Sequence, residues 1–175
     1  SSFGVGTEVS VLNETGGREV PMYPRLTAQT AYLMAIYRHN PELSRRMREM
    51  IADEAARATT PRGRIGTRAR VVNTGAVTNV NIGAYAVVDG AAKLMEGTIA
   101  ASESDPVFVG TNVMADGFML AAGAHVDDGV VLHHVFVGQA THLTHLFSAH
   151  DSLFFSNCAC ENGEAAAIFA GPYTV

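Results

Sequence analysis

The sequence predicts a mainly β fold: a parallel β-helix of short repeats, interrupted once by an inserted α-helical hairpin. Three observations predict it. One short phrase recurs five times, aliphatic residues around it repeat every six residues, and a helical stretch falls between two matching copies of the phrase.

The phrase is an aliphatic residue, Gly, two variable residues and a small or branched residue. It occurs at Val5-Gly6-Thr7-Glu8-Val9, Ile65-Gly66-Thr67-Arg68-Ala69, Ile82-Gly83-Ala84-Tyr85-Ala86, Val109-Gly110-Thr111-Asn112-Val113 and Val137-Gly138-Gln139-Ala140-Thr141. The next aliphatic usually falls six residues on, as from Val5 to Val11, Ile65 to Val71, Ile82 to Val88 and Val137 to Leu143. Longer steps of 17 residues join Ile65 to Ile82 and Val109 to Val126. That rhythm fits three short flat segments per turn of a triangular solenoid. The aliphatic and small residues point inward, and Gly sits where the chain turns sharply and a Cβ would collide. An antiparallel sandwich would place turns about every 8–12 residues and would use hairpin dipeptides, which are scarce here.

Residues Val5 to Val20 align with Ile65 to Val80 without a gap, down to the shared Asn13 and Asn73. Between them, Leu26 to Arg38 reads as a helix with Thr27 as N-cap and an apolar stripe of Ala31, Leu33, Met34, Ile36 and Tyr37. Asn40-Pro41 then restarts a second helix, through Leu43, Met47, Met50 and Ile51 towards Ala58. The expected organisation is a coil over residues 1–22, a helical hairpin over 23–60, and further coils of the same solenoid over 61–175. A second, shorter excursion is expected from Met95 to Pro106, where Ala-Ser-Glu-Ser-Asp-Pro has loop chemistry.

With 175 residues and 47% hydrophobic side chains, the chain can bury a sizeable core. No apolar run approaches the roughly 20 residues of a membrane span, and no basic start marks a signal peptide, so a cytoplasmic location is expected. Cys158 and Cys160 are too close for an ordinary disulfide framework and read as reduced thiols. Every Lys and Arg lies at or before Lys93, while Leu94 to Val175 holds nine acidic residues. That excludes a nucleic-acid surface on the second half. It also means that any phosphate bound there must draw cations from the first half, from histidine or from another subunit. Arg45, Arg46 and Arg48 are read as a solvated face or as a cationic patch.

The repeat resembles the left-handed β-helix of bacterial hexapeptide-repeat acyltransferases and related sugar-nucleotide enzymes. More narrowly, VSVLNETGGREVP, AYLMAIYRH, GQATHLTHLFSAHDSLFFSNC and ENGEAAAIFAGPYTV resemble an uncharacterised bacterial family of hexapeptide-repeat proteins classed as transferases, over nearly the whole chain. The resemblance implies a left-handed parallel β-helix, with acyl transfer from a thioester donor of the acyl-CoA type to a hydroxyl or amine of a sugar or sugar nucleotide. It further implies a homotrimer acting on a small-molecule substrate, with no permanently bound cofactor and no nucleic-acid or membrane partner. Because that family continues at both ends, and the chain opens inside a coil and stops at Ala170–Val175 without a cap, it reads as a fragment of a longer protein.

Such acyltransferases use a histidine as general base, taking the proton from the attacking acceptor. Six of the seven histidines lie after residue 120: His125, His133, His134, His142, His145 and His150. With Val137 and Leu143 inward, Thr141 and Phe147 also point inward, which leaves His142 and His145 on outward or corner positions. These two are the first catalytic candidates, and Asp151 is read as a carboxylate to orient a histidine or, alternatively, as a turn residue. His150, Asn157, Glu161 and Asn162 are candidates for acceptor binding. No metal is assigned, although His142, His145, Cys158 and Cys160 would converge if one were held. The competing reading is a noncatalytic solenoid, a scaffold or binding module, or an accessory domain of a sugar-nucleotide enzyme.

Overall fold

The computed structural model describes residues 1–175. Two parallel sheets stack six coils of chain over residues 65–170. One sheet is made of Arg70–Val72, Val87–Asp89, Phe108–Val109, His125–Val126, His142–Thr144 and Ala159–Glu161. The other is made of seven-residue strands, Ala76–Ile82, Lys93–Ile99, Met114–Leu120, Val131–Val137 and Ser148–Phe154, and ends in Glu164–Ala166 and Phe169–Ala170. Successive rungs lie about 4.8 Å apart, as parallel strands must.

Each long strand supplies two faces because its middle residue is left-handed. The series Asn79, Glu96, Gly117, His134, Asp151 and Ala167 takes φ from +47° to +61°, bending every rung at one height. With the short strands as third face, the section is a triangle. Inside it, Val71, Val88, Val109, Val126, Leu143 and Cys160 face Leu94, Ala115, Leu132 and Ala149 and the line Ile82, Ile99, Leu120, Val137 and Phe154. The expected parallel β-helix is therefore what forms. Thr141 and Phe147 point inward as their phase demands, at 0% and 5% exposure. The two buried polar side chains are satisfied locally: Thr141 Oγ1 donates to the Phe155 carbonyl (2.7 Å), and Ser152 Oγ donates to the His150 carbonyl (2.8 Å).

The recurring phrase marks the end of a flat segment on more than one face. Ile65, Ile82 and Val137 end long-strand rungs, whereas Val109 pairs with Val88 in the short-strand sheet. The excursion expected from Met95 is accordingly shorter, because Met95 to Ile99 completes a strand and only the following loop is extra. It lengthens that coil to 21 residues, Val88 to Val109, against 17 from Val109 to Val126.

The expectation of a β-helix coil over residues 1–22 is corrected. Glu8–Ser10 (β1) pairs antiparallel with Glu19–Pro21 (β2), with Val9 opposite Val20, and this ribbon lies on the outside of the solenoid. The physical reason is the glycine pair. Gly16 and Gly17 take φ of +82° and +99°, and Asn13 closes the turn by accepting from Thr15 N–H (3.2 Å) and donating to the Gly16 carbonyl (2.7 Å). The residues aligned with that pair in the true coil are Ala76 and Val77, which run on as strand.

Two helices follow the ribbon, Ala28–Ile36 (α1) and Pro41–Ala58 (α2). Their caps are those the sequence indicates: Thr27 Oγ1 accepts from Thr30 N–H (3.2 Å) and Asn40 Oδ1 from Leu43 N–H (3.1 Å). Ribbon and helices share a second core of Val5, Val9, Val20, Met22, Met34 and Ile51, closed against Met119, Phe136 and Leu153 on the outer face of the long strands. Past their bend, these three strands are apolar on both faces because both are covered.

Candidate functional site

The third corner of the triangle, where short strands lead into long ones, carries the most developed polar geometry. Asp128, His145 and Asn162 occupy it on successive coils, all left-handed with φ of +55°, +53° and +52°. A left-handed backbone throws these side chains outward in one column. His145 lies between two carboxylates, with Nδ1 2.8 Å from Glu161 Oε2 and Nε2 3.8 Å from Asp128 Oδ2. Thr144 Oγ1 also stands 3.0 Å from Nδ1. A carboxylate beside Nδ1 favours a proton on that nitrogen, the arrangement in which Nε2, on the Asp128 side, is left as the acceptor. A cavity of about 420 Å3 opens there, lined by Thr111, Asn112, Asp128, Gly129, His145, Leu146 and Asn162.

His142 is exposed on the short-strand face, as its phase requires, but belongs to a ring ladder. Phe108, His125 and His142 stack on successive coils at 4.8 and 5.3 Å between centroids. Burial, with His142 beside it, holds the His125 imidazole below its ordinary value. Sequence reasoning set His125 aside, yet its 17-residue step to His142 was the available signal.

Asp151 stands apart from His142 and His145 and meets other histidines. It sits at the bend within the long strands, where its Oδ1 is 3.6 Å from His134 Nδ1 and its Oδ2 is 3.7 Å from His150 Nδ1. Its Oδ1 also accepts a long 3.5 Å contact from Ser10 N–H, at the edge of the outer ribbon. The reason is coil length: Asp151 pairs with His134 one rung away, while His145 lies across a corner. His150 shares this second cluster with His133, whose ring is 4.0 Å from that of His134. Asn157 occupies a different corner, in the left-handed conformation (φ +60°), with its N–H donating to the Gln139 carbonyl (2.8 Å). Of the expected acceptor-binding residues, Glu161 and Asn162 alone meet His145.

The four-residue metal set does not converge. Cys158 turns into the core, where its Sγ donates to the Gly171 carbonyl (3.2 Å), while His142 and His145 stand outside. Cys160 also packs inward, and burial, with Cys158 next to it, pushes its thiol up, away from the reactive thiolate. Three arginines of α2 are committed to carboxylates: Arg45 to Glu42 and Glu49 (2.9 and 2.6 Å) and Arg46 to Glu42 within the helix, and Arg48 to Glu8 of the ribbon. A groove of about 500 Å3 that sequence reasoning did not anticipate lies between the start of α1 and the coils, with Arg25, Thr27, Gln29, Gln139 and Ser156 among its walls.

Comparison with known proteins adds a family and no activity. A family model described as a domain of unknown function, DUF4954, matches residues 1–175. No curated protein and no solved structure matches the chain.

Proposed function

The chain belongs to the DUF4954 family, and we propose that it serves an acyl transferase of the hexapeptide-repeat type with His145 as general base. The observation that carries this reading is the His145–Glu161 contact of 2.8 Å at the mouth of a cavity. A base must be within reach of the acceptor proton and held in one tautomer, and the Glu161 carboxylate beside Nδ1 favours the tautomer that leaves Nε2 free to accept. The donor is a thioester of the acyl-CoA type, and the acceptor is a small sugar or sugar nucleotide. Arg25, the one cation lining the α1 groove, is paired with Glu54 at 3.3 Å but largely exposed, and an anionic donor in the groove would share it with that carboxylate. The working assembly is a cytoplasmic homotrimer. No helix of the chain is long and apolar enough to cross a membrane.

The test is thiol release from a panel of acyl thioesters by the full-length protein, with sugar acceptors present. His145→Asn is expected to lower kcat by about 10²–10⁴-fold, the usual worth of a positioned base, and Glu161→Gln by less. Full-length protein that cleaves no thioester with any acceptor sinks the proposal.

A noncatalytic scaffold is the second reading, and the ladder of Phe108, His125 and His142 favours it. Stacked rings cover one another's faces and stiffen a flat surface without needing a substrate. Full-length protein that turns over no thioester, with or without His145→Asn, would move weight to this reading.

A further inference from the structure

We propose that the corner cavity takes its ligand as a primary ammonium, gripped by Asp128 and His145 together, so that the acyl acceptor is an amine and not a hydroxyl. The inference rests on the reading of His145 as base and narrows the substrate class of that site.

The geometry of two acceptors carries it. His145 Nε2 and Asp128 Oδ2 are 3.8 Å apart, too far to bond one another, and no side chain of the protein donates to either. One atom placed beside that gap can lie within hydrogen-bond reach of both. A hydroxyl has one proton and satisfies one of them. An ammonium has three, and can donate to Nε2, to the carboxylate and to the Asn162 or Asn112 amide oxygen.

Charge selects in the same direction. From Leu94 to Val175 the chain carries nine acidic residues and no Lys or Arg, and none of the cavity's lining residues is a Lys or Arg. Such a field concentrates cations and repels phosphate or carboxylate groups. Leu146 lies over Gly129, where a Cβ would meet its Cδ2 at 2.7 Å, and presents an apolar wall to the carbon skeleton. A small amino sugar or amino polyol fits both walls.

The transfer balances. One ammonium proton passes to Nε2, and the freed lone pair forms the N–C bond at the thioester carbonyl. The C–S bond then breaks, the imidazolium returns its proton to the departing thiolate, and the remaining proton on nitrogen goes to water.

The experiment follows the His145 imidazole of the full-length chain by nuclear magnetic resonance during titration with glucosamine, glucose or N-acetylglucosamine, at fixed pH and ionic strength. Saturable movement of the His145 signal is expected with glucosamine alone, weakened about tenfold or more by Asp128→Asn. Asp116→Asn, the same charge change on another face, is expected to leave it unaltered. Equal response to all three sugars, or equal weakening by Asp116→Asn, overturns the amine site. Thioester turnover separates the two proposals. Cleavage driven by glucose and not glucosamine leaves the transferase standing and removes the amine, whereas Asp128-dependent binding without any cleavage removes the transferase and keeps the amine.

Discussion

The ring of Phe118 fills the space that a side chain on Gly97 would need. The two residues are partners on adjacent rungs, both facing the core, in a line whose other members include Val80, Val135 and Ser152. One oversized side chain is matched by one absent side chain, which keeps the packing dense without a void. Gly97→Ala is therefore expected to destabilise the solenoid by about 1–3 kcal/mol through overpacking. Chemical denaturation would measure it, and Gly97→Ala combined with Phe118→Leu should recover most of the loss. A single variant as stable as the parent would show that the ring moves freely.

His125 makes the short-strand face sensitive to acid. Its imidazole is held below the ordinary value, first by burial and then by His142. The folded state thus binds that proton less readily than the unfolded chain. Stability from this group is complete above the unfolded value of about 6.5 and is lost as pH falls below it towards the lowered folded value. His125→Phe extends the Phe108 ring stack without a titrating group. Its melting temperature should exceed that of the parent by a margin that widens from pH 7.5 to 5.5. A constant margin would mean that His125 titrates alike in both states.

The coils were legible because each inward position is set locally, by a six-residue rhythm that places Leu143 and Thr141 inside and His142 outside. Contacts between coils were legible in principle, through the 17-residue steps that bring His134 to Asp151 and Asp128 to His145, but only once that period is applied to polar residues. Closeness in sequence does not bring Asp151 to His145, because a corner of the coil lies between them. The ribbon at the start was misread for a different reason. Its Val-Gly phrase is the same as that of a coil, and what separates it is Gly16-Gly17, a turn that the aligned Ala76-Val77 does not make. Its docking place was written as Met119, Phe136 and Leu153, again 17 residues apart and apolar on the outward phase.

Phe136 is the centre of that docking place, 2% exposed and 5.7 Å from the ring of Phe155. Phe136→Ala is expected to cost about 3–5 kcal/mol. The loss should fall on the ribbon and helices, because the inner core does not contain this ring. Limited proteolysis would then cut within residues 1–60 well before residues 65–170, and amide exchange would quicken at Val9 and Val20 while Val126 stays protected. Uniform loss of protection would show that the two cores unfold as one.

Asp151 offers the sharpest separation of the two histidine clusters. Its carboxylate faces His134, His150 and the Ser10 amide, all on the bend of the long strands or the ribbon laid over it. None of these groups lines the cavity at His145. Asp151→Asn keeps the shape and removes the charge, so it should leave ligand titration at His145 and any thioester turnover within about twofold of the parent, since distant sites act independently. The same change should loosen the ribbon edge, seen as faster exchange of the Ser10 amide, because a neutral amide oxygen accepts more weakly than a carboxylate. Loss of turnover comparable to that of His145→Asn would instead tie Asp151 to the chemistry across the corner, and would require the coils to move relative to one another during the reaction.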